Sequence, residues 1–175
     1  GALLDAVGPE GTLTTPSHSY GHTDPMTWMS PRVPPDWWET IRETMPAFNP
    51  RTTPTTRMGK IVETFRTWPG TLRSRHPEVS FCANGAKADF ITGDHTYEMG
   101  QGDGSPLARL YDVDAKVLFL GVGHDRNTSL HLAEYRIPET PENSTIMLVE
   151  ENGEREWKEF RQIPSMEDDW LRELG

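Results

Sequence analysis

Lys116-Val117-Leu118-Phe119-Leu120-Gly121-Val122-Gly123 runs directly into His124-Asp125-Arg126-Asn127-Thr128-Ser129-Leu130-His131-Leu132-Ala133-Glu134. The first eight residues form a nearly continuous apolar run bounded by glycines, which predicts a strand buried on both faces beneath helices. Thr128 then suits the cap of a helix running to about Arg136. A buried strand followed by an outward turn and a helix predicts an α/β fold with helices packed on both faces of a sheet. In such sheets ligands sit in the crevice at the carboxyl end of the strand. His131 and Glu134 stand three residues apart, so a helix places both on one face. A carboxylate beside an imidazole fixes its tautomer and stabilises its protonated form, as a general base requires. A solvated surface pair would show the same spacing.

Outward from this stretch the pattern is punctuated by turns. Ser105-Pro106 opens a helix through Leu110, with Ser105 as N-cap and Pro106 in the first turn. Val79 to Ala83 reads as a short strand, Ala86 to Ile91 as a short helix, and Gly59 to Trp68 as a helix that Pro69-Gly70 ends. Residues 16 to 57 hold eight prolines and predict a long Pro-rich loop broken by one helix, Asp36 to Thr44, capped by Asp36. Before it, Ala2 to Val7 has helical spacing and Thr12 to Thr15 reads as a strand. Downstream, Asn152-Gly153 between Ile146–Val149 and Glu156–Phe160 is a strong hairpin signal, and Met166 to Leu174 reads as a final helix.

Composition bounds the class. The 175 residues suit one domain, with six Trp and six Phe for a core. No apolar run reaches the roughly 18 residues of a membrane span, and no signal peptide opens the chain. A single cysteine, Cys82, excludes an internal disulfide and fits a cytoplasmic protein. Between Phe81 and Ala83 it reads as a small buried thiol rather than an acyl-carrying nucleophile. The net charge of −10 disfavours nucleic acid and anionic membrane as partners. It favours cationic small molecules, and it serves solubility equally well.

The stretch Val117 to Glu134 resembles the signature of the aminoglycoside 3-N-acetyltransferases. Further matches stand in the same order: Gly8-Pro9-Glu10-Gly11-Thr12-Leu13, Phe48-Asn49-Pro50, Met58-Gly59, Arg73-Ser74-Arg75-His76-Pro77-Glu78-Val79-Ser80, and Gly104-Ser105-Pro106-Leu107-Ala108-Arg109-Leu110. The resemblance implies an α/β fold on a mixed sheet, with acetyl-CoA as donor, and no metal is expected. It implies the 3-amino group of a 2-deoxystreptamine aminoglycoside as acceptor, and hence antibiotic resistance. It also implies a catalytic histidine at His131, which Glu134 supports. An aliphatic amine attacks a thioester only after losing its proton, which a neutral imidazole can take.

Arg73, Ser74, His76 and Ser80 are then expected to face CoA, with Arg73 and Arg75 on phosphate and the others on the pantetheine amides or the thioester oxygen. The loop Ser17 to Asp24 offers His18, His22 and Asp24 either as an acceptor wall or as a metal site. His18, Asp24, Glu63 and Asp103 are the expected acceptor contacts. Family members carry a further N-terminal segment and a longer C-terminal part, so the chain is expected to be a piece of a longer protein. Two other readings remain open: a non-catalytic relative that holds CoA or a cation, and a metal-dependent hydrolase built on His18, His22 and Asp24.

Overall fold

The computed structural model describes residues 1–29 and 31–164. Chain order runs through helix α1 (Ala2–Val7), strand β1 (Thr12–Pro16), helices α2 (Trp38–Thr44) and α3 (Gly59–Arg66), and strands β2 (Leu72–Arg73) and β3 (Phe81–Gly85). Helices α4 (Ala88–Thr92), α5 (Pro106–Asp112) and α6 (His131–Arg136) and the hairpin β4 (Asn143–Glu151) and β5 (Glu154–Gln162) follow. The combination of helices and strands is the expected α/β one. The strands form two small sheets, in order β1-β3-β2 and β4-β5, and every described pairing is antiparallel. The expected final helix from Met166 lies outside the described residues.

Strand β3 is the middle of its sheet, and Phe81, Cys82 and Ala83 on it are all but inaccessible to solvent. Phe81 packs with Leu107 and Ala108 of α5 and Leu132 of α6. Ala83 packs with Ala88 and Ile91 of α4. Complete burial of one phenylalanine contributes about 2–3 kcal/mol, so Phe81 ties α5 and α6 to the sheet. Beyond β1 the chain stays alongside the β2–β3 turn: Ser17 N–H donates to Ser80 O at 2.8 Å, and Ser19 N–H to Glu78 O at 3.1 Å.

Lys116 to Gly123 is not a strand. It runs as irregular chain, with Val117 54% and Leu118 63% exposed. An apolar run records fitness for burial, but a strand also needs partners for its N–H and C=O groups, and no described strand pairs with it.

Other boundaries move by a few residues. The predicted 79–83 strand is Phe81–Gly85, and the 36–44 helix begins with a 3₁₀ turn at Pro35–Trp37 in which Asp36 caps nothing. Gly59–Arg66 stops before Trp68 and leaves Ile61 in solvent. Ser105 does cap α5, accepting Leu107 N–H at 3.2 Å. Among its described residues the 17–57 stretch holds two 3₁₀ turns besides α2. Asn152 and Gly153 take φ of 53° and 84°, the mirror-turn conformation that joins twisted strands. No described helix is long and apolar enough to cross a membrane.

Candidate active site

Asn127 rather than Thr128 starts the helical stretch. Its side-chain oxygen accepts Ser129 N–H at 3.2 Å and caps a 3₁₀ turn, Thr128–Leu130, that feeds α6. His131 is the first residue of α6, and its Nδ1 lies 2.7 Å from Glu134 Oε2. An ionised carboxylate only accepts, so Nδ1 donates, and in the neutral imidazole Nε2 is the nitrogen with the lone pair. The Glu134 side chain is 6% exposed and that of His131 29%, so the carboxylate is enclosed while the imidazole meets solvent. Leu132, between them in sequence, anchors the helix in the Phe81 cluster. The dyad is thus aimed by packing on one side of α6 and a charge-assisted bond on the other.

His18 lies deep beside this region. It is 7% exposed, its ring stands edge-on to Phe81 at 5.8 Å, and its Nδ1 is 3.4 Å from the Tyr20 hydroxyl. Burial, then the His131, His95 and Arg73 charges, hold it down to about 3. It is therefore neutral at physiological pH and can act only as a hydrogen-bonding group. Its Nε2 is buried without a partner among the described residues.

The Arg73–Ser80 motif closes on itself. Arg73 donates from Nε to Ser80 Oγ at 2.9 Å, and from its two terminal nitrogens to Thr53 O and Ser17 O, each at 2.5 Å. Its guanidinium also lies 4.9 Å from the Phe48 ring centre. Burial lowers it to about 10. Ser80 Oγ donates to Ser17 O, and Ser74 Oγ accepts Phe81 N–H. His76 is fully buried, its Nδ1 accepting the amides of Glu78 and Val79 at 3.1 Å. Four residues expected at CoA thus bond mainly to their own chain. Arg75 stays exposed and lines a cavity of about 1010 Å³ with Arg51, Trp68 and Tyr97, a cavity whose walls do not include His131.

The carboxylates expected to meet a cationic acceptor have cations already. Asp24 receives two bonds of 2.8 Å from Arg42, which hold its carboxyl below the usual range. Arg66 grips Glu63 and lowers it to about 2, and Arg136 reaches Asp103 at 2.8 Å on the surface. His22 is buried against the Phe48 ring, away from any ligand-like grouping with His18 and Asp24. No group of three His, Cys, Asp or Glu that could hold a metal occurs among the described residues. Cys82 is buried and its thiol is pushed up by that burial, which suits packing rather than nucleophilic attack.

Two residues of this region escaped the sequence reading. His95 joins Ser74 Oγ at 2.8 Å and Gly100 O at 2.6 Å, so Nε2 donates to the carbonyl and Nδ1 accepts the serine hydroxyl. Its ring lies 4.9 Å from that of His76. Nothing local in the sequence marks it, because both partners arrive through tertiary folding. Glu78 was visible inside the Arg73–Ser80 motif, but its setting was not: its Oε1 accepts His22 N–H at 3.0 Å.

A profile of the family described as aminoglycoside 3-N-acetyltransferase matches residues 1–175. The SPbeta prophage-derived aminoglycoside N(3')-acetyltransferase-like protein YokD of Bacillus subtilis is 46% identical over 99% of this chain and 64% of its own length. Aminoglycoside N(3)-acetyltransferase IX of Micromonospora chalcea is 37% identical over 95% of this chain and 59% of its own. The chain therefore spans less than two thirds of the length of these relatives. The crystal structure of YokD superposes with a TM-score of 0.93 at 44% identity, covering 99% of this chain and 69% of that one. AAC-IIIb in its binary complex with CoASH gives 0.84 at 34% identity, over 99% and 67%. AAC-VIa bound to sisomicin gives 0.78 at 32% identity, over 94% and 61%.

Proposed function

Given that this chain belongs to the aminoglycoside 3-N-acetyltransferase family, we propose that it carries the proton-transfer dyad of an acetyl-CoA-dependent enzyme acting on the 3-amino group of a 2-deoxystreptamine aminoglycoside. The observation that carries this reading is the His131–Glu134 contact of 2.7 Å, which engages Nδ1 and leaves Nε2 of the partly exposed imidazole to act as the base. Acetyl-CoA supplies the acyl group as an activated thioester. The acceptor amine is an ammonium ion at neutral pH and becomes nucleophilic when Nε2 removes its proton. The buried Glu134 carboxylate then balances the imidazolium that forms. Direct transfer needs no covalent relay, consistent with the enclosed Cys82 thiol.

Coenzyme A is an anion, and a bound CoASH in AAC-IIIb supports a site for it in this fold. Within the Arg73–Ser80 motif, Arg75 offers the exposed guanidinium, while Arg73 organises the loop beneath. A neutral His18 near His131 is suited to hydrogen-bonding the acceptor or the acyl oxygen without competing for the proton. A cytoplasmic setting, where acetyl-CoA is available, fits the single free cysteine.

Release of free thiol from acetyl-CoA, followed with a panel of aminoglycosides that includes sisomicin, tests the function. Acceptor-dependent release with the acetyl group on the 3-amine is expected. Tight CoA or aminoglycoside binding without turnover would instead make the protein a non-catalytic binding relative.

A further inference from the structure

The run from Lys116 to Val122 has neither buried side chains nor backbone partners. Val117, Leu118, Leu120 and Val122 are each between 50% and 63% exposed, and Phe119 leans only on the ring of His124, 4.8 Å away between centres. No backbone N–H or C=O from Lys116 to Val122 is hydrogen-bonded among the described residues. Single apolar side chains on a surface are ordinary, but four large ones within six residues make a contiguous patch of the kind that marks an interface. Joined to a row of free N–H and C=O groups, such a patch is a template for adding a strand.

The charges flanking the run fit a second copy laid antiparallel to the first. From the middle outward, one end carries Lys116 and then Asp114, and the other carries Asp125 and then Arg126. Within the chain Lys116 holds Asp114 at 2.7 Å and Arg126 holds Asp125 at 3.2 Å, exposed contacts that contribute little and exchange readily. An antiparallel register that sets Lys116 opposite Asp125 of the other copy also brings Asp114 near Arg126. Parallel copies would set like charges side by side. The same antiparallel register places Leu118 opposite Gly123, Leu120 opposite Gly121 and Phe119 opposite Val122. Leucines then meet glycines, and an aromatic ring meets a β-branched side chain, a favourable cross-strand pair. Gly121 holds φ at 72° and has to become extended, a change that glycine makes at little cost.

We infer that this run is a self-association surface, on which two copies of the chain pair antiparallel strands across Leu118 to Gly123 about a two-fold axis. So few residues a side make a small interface, and dissociation is expected at about micromolar concentration or weaker. Sedimentation velocity over about 1–300 μM of the 175-residue protein, a range suited to an interface of that size, should show a monomer passing into a dimer. Leu118→Lys replaces an exposed side chain, so the fold is kept, and it should weaken association about 10-fold or more by placing a charge in the seam. Lys116→Glu should weaken it about 2–10-fold, and adding Asp125→Lys should restore it to within about twofold. Hydrogen exchange reports the pairing itself: the amides from Leu118 to Gly123 should gain protection as concentration rises. A protein that stays monomeric throughout overturns the inference. So does a dimer indifferent to Leu118→Lys, which associates elsewhere, and so does open-ended growth into larger species. Strong protection of these amides in the monomer also contradicts it, since the run would then be covered by its own chain. Failure of the charge swap to restore association overturns the antiparallel order.

Discussion

The guanidinium of Arg73 joins three parts of the chain that are far apart in sequence: Thr53, Ser17 and Ser80. Lysine has one ammonium in place of this planar fork and cannot reach all three acceptors in the same geometry. Arg73→Lys is therefore expected to lower the unfolding free energy by about 2–3 kcal/mol, through buried carbonyls left without donors. Chemical denaturation measures this, and acetyl-CoA affinity of the folded fraction should change little. An unchanged stability with a collapsed CoA affinity would return Arg73 to the phosphate-binding role its sequence suggested. At this scale the dyad was legible because an (i, i+3) spacing becomes a contact in any helix. The roles of Arg73, Ser74 and His95 were not, because their partners come from other segments. An arginine ready for a phosphate and one tying a loop look alike in sequence.

Among the elements, the β4–β5 hairpin was announced by Asn152-Gly153, a pair suited to the positive φ values that both residues adopt. Gly153→Val puts a β-branched side chain at φ 84° and is expected to cost about 1–2 kcal/mol. A thermal melt should show the lowered midpoint, and a wild-type midpoint would mean that the hairpin turn relaxes freely. The central strand β3 was harder to see. Phe-Cys-Ala-Asn-Gly has neither alternation nor β-branched residues, yet Phe81 to Ala83 are the most enclosed part of the sheet. Lys116 to Gly123 shows the reverse case, the strongest strand pattern in the chain without strand pairing among the described residues. Hydrophobicity reports what a segment can bury, while pairing depends on which neighbours reach it.

Across the whole molecule, the fold encloses imidazoles in their neutral form. Burial lowers His18 to about 3 and His95 to about 4 from the ordinary 6.5, and it lowers His22 and His76 as well. The unfolded chain binds these protons more readily than the folded one, so their contribution to stability is complete above pH 6.5 and is lost as the pH falls toward 4 and 3. Glu78 works the opposite way: its raised midpoint favours the fold below its ordinary 4.5, and this is lost as the pH rises through about 7. Four histidines outweigh one carboxylate. The urea midpoint should therefore drop steadily from pH 7.5 to pH 4.5, and a flat or rising profile would contradict the neutral assignment of the buried imidazoles.

The central claim is that His131 Nε2, freed by the Nδ1–Glu134 bond, is the base that activates the acceptor amine. Steady-state turnover of His131→Ala against Glu134→Gln and His76→Ala, each with acetyl-CoA and sisomicin, tests it most directly. His131→Ala should lower turnover by about 10²–10⁴-fold with CoA binding nearly intact. Glu134→Gln should cost less, since the imidazole remains but loses its orienting charge. His76 is sealed in the interior with its Nδ1 accepting two amides, so replacing it should act through stability rather than chemistry. A folded His131→Ala protein with near-normal turnover, alongside a folded but inactive His76→Ala protein, would contradict the account and move the base into the Arg73–Ser80 motif.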